Sequence, residues 1–103
     1  MRTTTVARKP LAEAYPDLND TELDAVSTAH IDKTMQVLTA FAQAHGTTTD
    51  NLVSQSDTSP RLTVRSWPDL ETAQAWVDVV LSGACSEGLD YPAVVVSAQV
   101  DPE

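Results

Sequence analysis

The sequence predicts an α+β domain in which strands and helices alternate as strand, helix, strand, strand, helix, strand. Three observations predict it. The chain has 103 residues, enough for one domain and one core but not two. Two stretches carry apolar residues at spacings of three and four, the period of a helix face. The stretches between them are rich in β-branched residues and are bounded by turn formers, as strands are. Hydrophobic residues make up 42% and charged residues 20%, which places the chain among ordinary globular domains rather than disordered or fibrous ones.

Residues 2–7, Arg-Thr-Thr-Thr-Val-Ala, have strand composition. Lys9 to Asn19 holds Pro10 and Pro16 and reads as an irregular connector. Asn19-Asp20-Thr21-Glu22 is a helix start, because an Asn N-cap with Glu three positions later lets each side chain satisfy an orphan amide. Leu23, Val26, His30, Val37 and Phe41 then mark one helical face, and Gly46 is the natural stop. A helix over 20–45 is about 39 Å long at 1.5 Å per residue, and Ser27–Thr28 is the place where it would break. Thr47–Gln55 and Arg61–Trp67 pair as a hairpin across the turn-forming residues 56–60. Pro68-Asp69 opens a second helix whose apolar stripe is Leu70, Ala73, Val77, Val80, Leu81 and Ala84, with Asp69 as its cap. Ala93–Val100 closes the chain as a valine-dense strand, with Val94, Val96, Ala98 and Val100 expected on one face. This order is the ferredoxin-like split βαβ (βαββαβ) arrangement, an antiparallel sheet with two helices on one face. Residues 1–19 are either its first strand plus a connector or an extended basic arm. Residues 20–103 form the single α+β domain.

The net charge of −9 is unevenly spread. Arg2, Arg8 and Lys9 give the first nine residues a charge of +3, with no acid among them. Residues 10–103 hold three basic residues against fifteen acids, or −12. An acidic body opposes binding to nucleic acid and to anionic membranes. No apolar run approaches the ~20 residues that span a bilayer, and the opening residues lack the apolar core of a secretory signal. The expected location is therefore cytoplasm or virion. A basic strip on an acidic body suits docking on an acidic neighbour or on a second copy.

Few residues suggest chemistry. His30 and His45 share a helix but lie about 22 Å apart along it, too far to share a metal. His30 falls in the apolar stripe and reads as a packed histidine. Cys85, the only cysteine, follows a helix C-terminus, where the dipole raises a thiol pKa; it reads as a small buried hydrophobe. Asp17, Asp20 and Asp24 cluster at a helix start, where capping accounts for them. Three glycines in the whole chain leave no phosphate-cradling loop, and no G-x-S-x-G elbow occurs. No metal or other cofactor is expected. Arg65 and Trp67 share a strand face with Arg61 and Thr63, expected on the side of the sheet away from the helices, where an arginine and a tryptophan suit a protein interface.

The stretch from Arg65 to Asp78 has a strand ending Arg65-Ser66-Trp67, a capped helix with Ala73-Gln74-Ala75-Trp76-Val77, and a closing valine strand. Over residues 61–101 this resembles small proteins encoded by tailed phages, and also half of a dimeric α/β-barrel domain. The second resemblance implies either a monooxygenase-like enzyme or a binding module, but no catalytic His or Asn cluster is evident.

These observations lead to the expectation of a non-enzymatic protein that acts by self-association or protein–protein contact, as a phage virion or accessory component. Its partner-binding residues would be Arg2, Arg8, Lys9, Arg65 and Trp67, its partner a protein, and its state a homo-oligomer. One alternative is a dimeric α/β-barrel enzyme or small-ligand binder, with a pocket between helices and sheet and His30 as its polar residue. A further alternative is an acidic regulator that mimics DNA.

Overall fold

A computed structural model describes residues 1–102. Its elements are β1 (Arg2–Arg8), α1 (Leu11–Ala14), α2 (Asp20–His45), β2 (Leu52–Gln55), β3 (Arg61–Trp67), α3 (Leu70–Leu81), a single 3-10 turn at Ala84–Ser86, and β4 (Val95–Val100). The sheet order is β2-β3-β1-β4, and each neighbouring pair is antiparallel. β3 therefore sits between β1 and β2, and β1 sits between β3 and β4. This is the ferredoxin-like α+β arrangement expected from the element order.

Residues 2–8 are a strand, not an arm. β1 is hydrogen-bonded on both sides, to β3 over Arg2–Arg8 and to β4 over Thr4–Arg8, which makes it structural from end to end. The connector holds one unanticipated element, the four-residue helix α1, whose Tyr15 hydroxyl donates to the Pro92 carbonyl and packs edge-on against Tyr91.

Helix α2 runs unbroken through Ser27–Thr28. Its capping box is closed: Glu22 N–H donates to Asn19 Oδ1 at 2.8 Å, and Asn19 N–H donates to Glu22 Oε1 at 3.1 Å. It ends at Gly46, whose φ of 65° is a left-handed conformation that glycine adopts without steric cost. Asp69 caps α3 by accepting from the Thr72 N–H at 2.8 Å.

The core lies where both helices meet the sheet. Trp67 of β3 packs against Phe41 of α2 and Trp76 of α3, with ring centroids 5.3 and 5.5 Å away. Val6, Leu38, Ala73 and Val80 close around them. Such aromatic clusters bury large apolar areas and gain further from edge-to-face geometry.

Of two face assignments made from alternation, that of β3 is reversed and that of β4 holds for Ala98 and Val100 but not for Val94 and Val96. Trp67 points toward the helices and is 0% exposed, so Arg65, Thr63 and Arg61, which alternate with it, also lie on the helix side. Leu62 and Val64 face outward. Alternation defines two faces but not which one is inward, and here the indole outweighs a leucine and a valine. On β4, Val96 is exposed, whereas Val95, Ala98 and Val100 pack on the core. A register shift between Ala7 and Arg8 skips one residue of β4, so the valines change sides partway along the strand.

Candidate functional site

The two halves of α2 behave differently. The C-terminal half anchors the helix through Leu38, Phe41 and Ala42, all buried. The N-terminal half leaves a cleft of about 270 Å³ between itself and the sheet. Ser27, His30, Ile31, Thr34 and Met35 turn toward this cleft. Their spacing of three, one, three and one residues is that of a single helix face.

The opposite wall comes from the sheet: Arg8 from β1, Arg61, Thr63 and Arg65 from β3, and Leu52 and Gln55 from β2. Strand pairing dictates this convergence. Arg8 lies directly across from Arg61, and Arg65 directly across from Leu52. Val6 and Trp76 lie toward the core, and Lys9 and Leu11 line the end where β1 leaves the sheet. Among the described residues, none that lines the cleft is an aspartate or glutamate.

Three guanidiniums therefore share a partly enclosed space without a carboxylate. Arg61 reaches outward to Asp57, Nη2 to Oδ1 at 3.0 Å, and that carboxylate is 93% exposed. Arg65 donates from Nη1 to Asn51 Oδ1 at 2.8 Å, a neutral partner. Arg8 Nε is buried without a hydrogen-bond partner, as are His30 Nδ1 and Thr34 Oγ1. Unsatisfied polar atoms of this kind are rare in folded proteins and costly. Three of them lie along one cleft.

The electrostatics agree with the geometry. Burial lowers the Arg8 pKa, and Arg65 and Arg61 lower it further against an opposing contribution from Cys85. Burial also lowers that of Arg65. His30 is pushed down to about 4, first by burial and then by Arg8 and Arg61, so its imidazole is neutral at pH 7. Cys85 is buried beneath the same region and its thiol pKa is raised by that burial, with Arg8, Arg65 and Lys33 pulling the other way.

Of the residues singled out for partner binding, Arg8, Lys9 and Arg65 come together at this cleft. Arg2 stands opposite Trp67 at the other end of β1, and Trp67 belongs to the core, its indole N–H donating to Thr4 Oγ1 at 3.0 Å. His30 lines the cleft instead of packing in the apolar core. His45 is elsewhere, stacked on Phe41 with its Nδ1 3.0 Å from the Phe41 carbonyl. Arg61 and Thr34 were not singled out. The signal that carries them is the alternation Arg61, Thr63, Arg65 on one strand and the four-residue step from His30 to Thr34 on one helix.

Among the described residues, no group of three or more His, Cys, Asp or Glu is placed to hold a metal ion. Among the described residues, no helix is long and apolar enough to cross a membrane. No family model, curated protein or solved structure matches the chain.

Proposed function

We propose that this chain is a small-ligand-binding protein, with its site in the cleft between α2 and the sheet. One observation carries the proposal: buried polar atoms of Arg8, His30 and Thr34 converge without partners on a cavity that also has apolar walls. Ligand sites combine these two features, apolar lining for affinity and a few fixed polar groups for orientation. Among the described residues the cleft presents no carboxylate to act as a base or nucleophile, which favours binding over catalysis. The test is a fragment screen followed by amide and side-chain chemical-shift mapping on the full chain. Binders should perturb His30, Thr34 and Arg65 together. A diverse fragment set that leaves those resonances unmoved would sink the proposal.

A second reading, self-association, is favoured by β4. Among the described residues this strand pairs with β1 along one edge only, with Val96 exposed on it and Val94 exposed just before it. An open edge with exposed valines suits pairing with a second copy, which is the behaviour that a virion or phage accessory role requires. Sedimentation should then give a dimer that the change Val96→Lys dissociates. A monomer at high micromolar concentration removes this reading.

A further inference from the structure

Resting on the small-ligand reading, we infer that the ligand is a small amphiphilic oxyanion, whose head is held by Arg8 and Arg65 and whose apolar body lies along Ile31, Met35 and Leu52. The head chemistry is that of a carboxylate or a phosphate monoester. Both accept from the planar guanidinium fork through paired hydrogen bonds.

The charge arrangement selects the sign. In a chain of net charge −9, the cleft gathers four of the six basic side chains, Arg8, Lys9, Arg61 and Arg65, and no acid among the described residues lines it. Arg8 and Arg61 are direct cross-strand partners, an arrangement that like charges destabilise. Arg61 has an ion-pair partner in the exposed Asp57, whereas the Nε of the half-buried Arg8 has no partner among the described residues, and a buried unpaired charge is strongly unfavourable. An entering oxyanion removes the conflict. It gives the Arg8 Nε an acceptor, and it suits the Thr34 hydroxyl and the Nδ1 of a neutral His30, both of which can donate.

The walls select the body. Ile31 and Met35 on α2 and Leu52 on β2 are all exposed, at 56%, 42% and 51%, and they face the cleft from both sides. A purely inorganic anion leaves these residues in water. The volume selects the size: about 270 Å³ lies just below the ~300 Å³ at which ligand pockets begin. A cleft of this size has room for a short chain or a single ring. The −12 carried by the rest of the chain further repels extended polyanions.

The experiment compares four eight-carbon probes on the full chain by titration calorimetry: octanoate, octyl phosphate, octanol and octylamine. Octanoate, octyl phosphate or both should bind at least about tenfold more tightly than octanol and octylamine, and added salt should weaken that preference. Arg8→Met and Arg65→Met should each reduce the oxyanion to the affinity of octanol, while Arg2→Met, outside the cleft, should leave it unchanged. The wild-type comparison stands even if one arginine variant fails to fold. Octanol or octylamine binding as tightly as the oxyanions overturns the inference and leaves the small-ligand reading intact. Failure of all four probes to bind, while the fragment screen yields neutral binders at His30 and Thr34, overturns it in the same way. Failure of both experiments overturns both readings.

Discussion

Arg8 and Arg61 occupy the same register position on β1 and β3, so two arginines stand side by side on the sheet; Arg61 reaches outward to the exposed Asp57, and among the described residues no carboxylate lines the space between sheet and helix. The pair is a local conflict inside an otherwise consistent design. Every other level of the structure, from caps to core, favours the same fold. Conflicts of this kind concentrate where a protein holds a site ready for something else.

That conflict makes a stability prediction. Arg8→Met keeps the aliphatic stem that packs along the cleft while removing a buried charge and the cross-strand repulsion. The ligand-free variant should be more stable than wild type by about 1 kcal/mol, seen as a higher urea midpoint at unchanged slope. A destabilised variant would mean that Arg8 has a compensating partner within the chain.

Trp67 and Thr4 pose the opposite case, a polar pair fully satisfied in the core. Both side chains are 0% exposed, and the indole N–H donates to Thr4 Oγ1. Thr4→Val keeps the shape and strands the donor, which should cost about 1–3 kcal/mol. Thr4→Ser keeps the hydrogen bond and should cost less. A loss in Thr4→Ser as large as that in Thr4→Val, measured by urea unfolding, would show that the methyl group matters as much as the bond.

Removing residues 1–9 deletes β1, the strand that joins β3 to β4. The truncated chain loses Val6 from the core and the only partner of β4 among the described residues. It should be unfolded or molten by near-ultraviolet circular dichroism at any salt concentration. A folded truncation that merely fails to associate would instead match the behaviour of a detachable basic arm.

Local signals specified the helices. The Asn19–Glu22 capping box and Gly46 bound α2 at both ends, and Asp69 placed the start of α3, because caps act within one turn. The faces of β3 and β4 were illegible for a different reason. Which face of β3 turns inward depends on Trp67 meeting Phe41 and Trp76, residues on two distant helices. The side on which Val95 lies depends on a bulge opposite Ala7 and Arg8, on another strand. The cleft inherits both difficulties. Arg8 and Arg61 are far apart in sequence, and only the β1–β3 register brings them face to face.

His30 supplies the pH dependence. In the unfolded chain its imidazole titrates near 6.5, and in the folded chain it is held down to about 4 by burial and then by Arg8 and Arg61. These positive groups reach it from β1 and β3, and among the described residues no carboxylate lines the cleft to offset them. Between those two values the unfolded chain binds more protons, so stability must fall as pH drops from 6.5 toward 4 and stay level in this contribution below that. Asp69 does not confuse the measurement. Its carboxyl is held below the usual range of 3.8 by hydrogen bonds from Thr72, so its contribution is lost only at lower pH. His30→Gln should flatten the melting temperature between pH 6.5 and 4 while leaving the decline below pH 4 in place. A bound oxyanion adds negative charge beside the ring and raises its proton affinity, so saturating octyl phosphate, which keeps a negative charge throughout this window, should flatten it in the wild-type chain. Equal slopes in wild type and His30→Gln would mean that the imidazole is solvated and does not face the cleft.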